Sequence, residues 1–163
     1  ADPSVELPSI TFWLLGGLNA VSIDDLAIAV PLILCGLAPM WLLRWRINLL
    51  TLSDDESASM GINVVRLRLA LIACATLMTA AAVSIAGIIG WIGLVVPHAA
   101  RLLVGPEFSR LLPATALLGG AFLVAADTLA RSAASIELPL GILTALVGAP
   151  VFLWLLARSG RQA

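Results

Sequence analysis

The chain has 163 residues, 61% of them hydrophobic and 12% charged, with a mean hydropathy of +1.07 and a net charge of −1. That composition leaves too little polar surface for a soluble domain of this size, and the charge balance argues against a nucleic-acid partner. The apolar residues come in long runs rather than alternating, which excludes a membrane β-barrel and predicts an all-α integral membrane protein lying in a lipid bilayer.

Ala1–Ser9 is polar and carries Pro3 and Pro8, without an initiating Met or a signal-peptide pattern. We expect a piece of a longer protein. Ile10–Leu15 is too short to cross a bilayer and predicts a short interfacial helix anchored by Phe12 and Trp13, within a loop 1–25 on the outer side. Asp24 and Asp25 are expected to cap the next helix. Leu26–Leu43 is charge-free and long enough for one crossing, with kinks expected at Pro31 and Pro39. Thr51–Arg68 is the one long hydrophilic run. Leu69–Ala100 follows, charge-free for 32 residues, then Leu111–Ala126 and Leu138–Ala157.

The 32-residue run is too long for one crossing and short for two. Arginine placement decides, because basic residues gather on the cytoplasmic side. A single crossing divides the nine arginines five to four; a double crossing that turns near Gly87–Gly90 puts eight on one side and leaves only Arg131 on the other. The second arrangement predicts crossings at 26–43, 69–87, 91–103, 111–130 and 140–157, with a cytoplasmic loop at 44–68. The third of these is short. Thr79–Ala82, Gly119–Gly120, Ala125–Ala126 and Gly148–Ala149 supply the small residues through which membrane helices approach closely. Cys35 and Cys74 lie in separate apolar runs and read as packing residues, not a disulfide or metal site.

No catalytic motif is present: no P-loop, since the chain has no Lys, and no G-x-S-x-G, H-E-x-x-H or C-x-x-C. His98, the one histidine, reads as a hydrogen-bonded packing residue, with a ligand or proton-relay role as the alternative. Asp127 and Arg131 share a helix face near its outer end. Arg131 is either paired there with Asp127 or available to an external partner. Ser53 can cap a helix whose first turn holds Asp54, Asp55 and Glu56, and Gly61 can stop it in a left-handed conformation. A solvated helix accounts for that pattern, as does a partner-binding one.

Three stretches, GWIGLVVPHAARLLVG (90–105), RLLPATALLGGAFLVAADTLAR (110–131) and IELPLGILTALVGAPVFLWLL (136–156), resemble the permease subunit of binding-protein-dependent ABC importers for iron complexes and vitamin B12. The resemblance covers nearly the whole chain. It implies a type II ABC importer permease of about ten helices, of which this chain is similar to the C-terminal half. It implies no enzymatic activity, cofactor or metal site in the chain itself. It implies a cytoplasmic ABC ATPase subunit, a periplasmic or lipoprotein substrate-binding protein, and a second permease copy in a homodimer, or a paralogous permease. The segment Asp54, Asp55, Glu56, Ser57, Ala58 through Gly61 resembles the family's ATPase-coupling motif, but Ser57 and Ala58 stand where relatives often carry Ala-Arg. Arg131, in ADTLAR, matches the family's docking arginine for the binding protein, and Glu137 follows it on the same side. The substrate implied first is a ferric siderophore, with haem, cobalamin or molybdate as alternatives. A channel-like protein is the reading from outside this family; the lack of charged rings within the crossings argues against it.

Overall fold

In the computed structural model the residues described are 10, 11, 13–19, 21–133 and 139–159, and all their regular structure is helical. Residues 10–11 and 13–15 are helical. The longer elements are α1 (Ile23–Leu42), α2 (Arg44–Leu49), α3 (Asp54–Ser59), α4 (Val64–Ala86), α5 (Ile92–Val104), α6 (Phe108–Ala133) and α7 (Leu140–Ser159). By length and composition α1, α4 and residues 108–132 of α6 can each cross a membrane, while 92–104 and 140–153 form shorter apolar helices.

Helix boundaries follow local capping chemistry more than the ends of the apolar runs. Ser22, not the aspartates, caps α1: its hydroxyl accepts from the Asp25 amide at 3.2 Å, and the Asp25 carboxylate accepts from the Ser22 amide at 3.0 Å. Asp24 and Asp25 therefore sit in the first turn, where the helix dipole favours them. α1 continues through Pro31 and Pro39 to Leu42. Asn63 starts α4 well before the apolar run does, its side-chain oxygen accepting from the Arg66 amide at 3.0 Å. Arg66 and Arg68 thus belong to a helix rather than to a loop, and the segment 44–68 is largely helical. α4 stops at Ala86, and the chain reverses through Gly87–Gly90.

The bundle has two parts. α1 packs along α4, while α5, α6 and α7 pack on one another; α2 touches α6 and α3 touches α4. The buried residues are mostly small: Ala29, Ala81, Ala100, Ala126 and Ala130. Lipid supplies no hydrophobic drive for helix association, so stability comes from the close approach that alanine permits. Large apolar side chains such as Ile28, Leu34, Leu69, Leu117 and Leu146 point outward, as a lipid-facing surface requires. Cys35 is exposed and Cys74 half-buried, and neither is in a disulfide; Cys35 lies on the surface of the chain, not in its interior.

One end of the bundle is closed by a backbone joint. The Gly17 amide donates to the Ala86 carbonyl at 2.9 Å, and the Leu140 amide donates to the Gly16 carbonyl at 3.0 Å. The segment 13–18 thereby ties the end of α4 to the start of α7. Gly87 has φ +67° and ψ −162°, a conformation open in practice only to glycine, and its α-carbon lies against the Trp13 carbonyl. Gly141 faces the Leu15 carbonyl in the same way. Leu18, Ile89, Phe122 and Leu143 fill the remaining space around Ala126, Ala130 and Leu140. Beyond the joint, Trp91 takes a positive φ of 64° as it enters α5, its Cβ set over Gly148 and its ring 6.0 Å from that of Phe152.

Gly141→Ala should therefore destabilise the protein, by about 1–3 kcal/mol for overpacking against backbone. Gly120→Ala, with nothing near the added methyl group, should be neutral or stabilising. Thermal midpoints of the purified full-length protein compare the two. Equal midpoints would remove the joint from the account.

Candidate functional site

At the opposite end lie the starts of α4 and α6 and the ends of α1 and α5, with Arg44, Arg46, Arg66, Arg68, Arg101 and Arg110 among them. Here α3 stands out. Six residues are too few to hold a helix by propensity, so its ends are fixed by hydrogen bonds. The Ser53 hydroxyl accepts from the Glu56 amide at 3.3 Å, and the Glu56 carboxylate accepts from the Ser53 amide at 3.1 Å and from its hydroxyl at 2.9 Å. Those donors, the Ser53 hydroxyl first and then its amide, hold the Glu56 carboxyl below the usual carboxylate range. At the far end Gly61 has φ +78°; its amide donates to the Ala58 carbonyl at 2.9 Å, and the Ile62 amide donates to the Ser57 carbonyl at 3.3 Å. These two bonds make a Schellman stop.

The side chains of α3 divide by face. Asp55, Glu56, Ala58 and Ser59 are exposed, as is Met60 just after the helix. Asp54 opens the helix, and its side chain lies outside the described residues. Ser57 is 1% exposed, and its hydroxyl donates to the Leu49 carbonyl at 2.7 Å. It anchors α3 on α2 and presents nothing outward. The burial explains why a small residue stands there. Its neighbour Ala58 leaves the exposed face without the cation that the resembling motif often carries.

Two further residues organise this end through contacts that the sequence does not show. Asn48, in the last turns of α2, accepts from the Phe108 amide at 2.7 Å and so caps the start of α6 from sixty positions away. Arg44 lies with its guanidinium carbon 4.5 Å from the centre of the Trp41 ring, a cation–π contact that fixes the α1–α2 corner. An Asn before a hydrophilic run was a visible signal for a cap, but its partner was not, because the contact is long-range.

At the joint end, Arg131 Nε donates to Asp127 Oδ2 at 2.7 Å, one turn apart on α6. The Arg131 side chain is 57% exposed against 22% for Asp127. A pair so placed contributes little to stability, yet it leaves a cation at the rim. Ala126 and Ala130, buried against Leu140, fix the rotation of the helix that presents it. Glu137 lies outside the described residues. His98 is half-buried in α5 beside Pro97. Among the described residues no three His, Cys, Asp or Glu side chains converge as metal ligands would.

A family model, the FecCD transport family, matches residues 2–158. Similar proteins include a "Probable iron chelatin transport system permease protein" of Helicobacter pylori, 49% identical over 93% of this chain and 46% of the relative. A cobalamin import system permease protein, BtuC, of Halobacterium salinarum is 47% identical over 93% of this chain and 41% of that one. A solved structure of a metal-chelate type ABC transporter in an inward-facing conformation superposes with a TM-score of 0.91 and 38% identity, over 97% of this chain and 51% of that one. The chain thus spans about half the length of the relatives it matches.

The caps of α3 generate a prediction. Ser53→Ala should speed hydrogen exchange at the amides of residues 55–57 about fivefold at neutral pH, the equivalent of ~1 kcal/mol for a lost N-cap. The sign with pH follows from the depressed Glu56 carboxyl: its contribution is complete once the group is ionised and is lost as pH falls through the lowered pKa. Without the Ser53 hydroxyl the lowering is weaker, so the contribution should be smaller and its loss should be complete at a higher pH. Unaltered exchange in Ser53→Ala would show that α3 is held by its packing and its Gly61 stop rather than by its N-cap.

Proposed function

Because the chain belongs to the FecCD transport family, we propose that it forms part of the transmembrane permease of a binding-protein-dependent ABC importer, carrying a metal chelate inward across a bacterial inner membrane. The observation that carries this reading is α3: a short helix closed at both ends, anchored through one buried serine, and presented among arginines at one end of an apolar bundle. Basic residues mark that end as cytoplasmic. α1, α4, α5, α6 and α7 then make five crossings, with the reversal at Gly87–Gly90 and Arg131 on the outer side.

The permease does no bond chemistry. ATP hydrolysis on a separate cytoplasmic subunit moves the groove that holds α3, and Asp54, Asp55, Glu56, Ser57, Ala58 and Gly61 carry that motion, Ser57 from inside. A ligand or nucleotide shifts such an equilibrium only by binding the two states differently; α3 is where the ATPase makes that difference. Arg131, with Glu137, receives the substrate-binding protein on the outer face. The full permease pairs with a second copy or a paralogue. A ferric siderophore is the first choice of cargo, in line with the iron chelatin permease. The cobalamin permease is nearly as similar, so the decisive experiment is a panel. The full-length permease, reconstituted with its ATPase and binding protein, is offered a ferric siderophore, haemin, cobalamin and molybdate, and ATP-driven accumulation is measured. No accumulation of any of them, with no ATPase co-purifying, would overturn the reading.

Gly61→Val strains the left-handed stop. It should leave the permease in the membrane but reduce ATPase co-purification and transport; full transport by a well-expressed Gly61→Val protein would make α3 a solvated helix and nothing more. For Arg131, reversal should exceed truncation, since a rim charge governs encounter rate more than affinity. We expect Arg131→Glu to slow binding-protein association about tenfold at low salt and to flatten its salt dependence, with Arg131→Ala intermediate. Association rates that match wild type at two salt concentrations would leave Arg131 only its pair with Asp127.

A further inference from the structure

We propose that Asn48 is a positioning residue that makes α2 a relay between the coupling helix and α6. The inference rests on the reading of α3 as the ATPase contact. Two consecutive residues of α2 are engaged in opposite directions. The Leu49 carbonyl accepts from the buried Ser57 hydroxyl of α3 at 2.7 Å, and the Asn48 side-chain oxygen accepts from the Phe108 amide at the start of α6 at 2.7 Å. The Thr51 hydroxyl donates to the Asn48 carbonyl at 2.7 Å, closing the turn between α2 and α3.

Each bond is costly to break. Ser57 is 1% exposed, so a sliding α3 either carries the end of α2 with it or strands a hydroxyl away from water. The Phe108 amide is one of the four at a helix start that have no partner within the helix, and the Asn48 bond to it is partly buried. A push on α3 therefore passes along one turn of α2 into the start of α6. α6 is continuous from Phe108 to Ala133. Its axis covers ~35 Å between Phe108 and Arg131 at 1.5 Å per residue. It is the element whose other end carries Arg131 and packs, through Ala126 and Ala130, into the glycine joint. The α3 contact with α4 offers a second route toward α1; the route through Asn48 leads directly into the helix that carries Arg131. Nucleotide state inside and binding-protein docking outside are then linked through one continuous helix, and by linkage the coupling acts in both directions.

The test is the stimulation of ATP hydrolysis by purified binding protein, in liposomes holding the full-length permease and its ATPase. Asn48→Leu keeps the volume and removes the acceptor; Asn48→Asp keeps an oxygen of the same reach. Asn48→Leu should lower the ratio of stimulated to unstimulated hydrolysis at least fivefold, the low end of ordinary coupling factors, and Asn48→Asp should restore it. A merely structural Asn48 would change the yield of assembled complex and leave that ratio alone. Assembled Asn48→Leu with the wild-type ratio overturns the relay. If Asn48→Leu fails to accumulate, Ser57→Ala tests the other bond: a lowered ratio supports the relay, a wild-type ratio overturns it. A wild-type complex that ignores the binding protein would instead bring down the proposed function, and the relay with it.

Discussion

The bundle depends on backbone meeting backbone. In lipid the hydrophobic effect does not press helices together, so cohesion must come from contact and hydrogen bonding. At the joint end the chain achieves both in one place. The carbonyls of Trp13, Leu15 and Ile88 reach α-carbons that bear no side chain, and the amides of Gly17 and Leu140 are satisfied across segments far apart in sequence. Alanines carry the same logic along the helices. This arrangement fixes the end of α4, the segment Gly87–Gly90 and the start of α7 as a unit, and Asp127 and Arg131 at the same end are positioned relative to it.

The opposite end solves a similar problem differently. Among the described residues, two helices begin with an amide satisfied from a distant segment. α7 borrows the Gly16 carbonyl, and α6 borrows the Asn48 side chain. The first is a main-chain contact within a tight joint. The second hangs on one side chain of a six-residue helix that is itself held at a corner by Arg44 over Trp41. An end built from short capped helices and single side-chain bonds can be displaced without unpacking the bundle; the glycine joint cannot. The asymmetry suits a protein moved from one end and held at the other.

Much of this was legible in the sequence, for identifiable reasons. Long apolar runs named the helices, Gly87–Gly90 marked the break in the 32-residue run, and the spacing of Asp127 and Arg131 paired them. Ser53 and Gly61 marked both ends of α3 because caps are local chemistry. Boundaries were less legible wherever polar residues extend a helix past its apolar stretch: Asn63 draws Arg66 and Arg68 into α4, and α6 runs past Arg131. Ser22 is less conspicuous in the sequence than the aspartates beside it, although Ser22 and Asp25 share one capping box. The long-range contacts could not be read at all. Nothing local to Asn48 points to Phe108, and nothing local to Gly141 points to Leu15.

Ser57 and Ala58 show how a departure from a motif can be weighed once geometry is known. In sequence both stood out equally against the Ala-Arg often found in resembling proteins. In the fold they are different kinds of position. Ser57 faces inward, where a small side chain is obligatory and a hydroxyl adds a bond to the Leu49 carbonyl. It strengthens the anchorage of α3 without altering its outer surface. Ala58 faces outward, so the missing arginine changes what a partner meets: the exposed Asp55 and Glu56, small residues and Met60, with the arginines on α2 and α4 rather than on α3 itself. In the proposed complex, recognition of α3 must then come from its shape and its acidic first turn, and the positive charge at the contact must come from Arg44, Arg46, Arg66 and Arg68 around it.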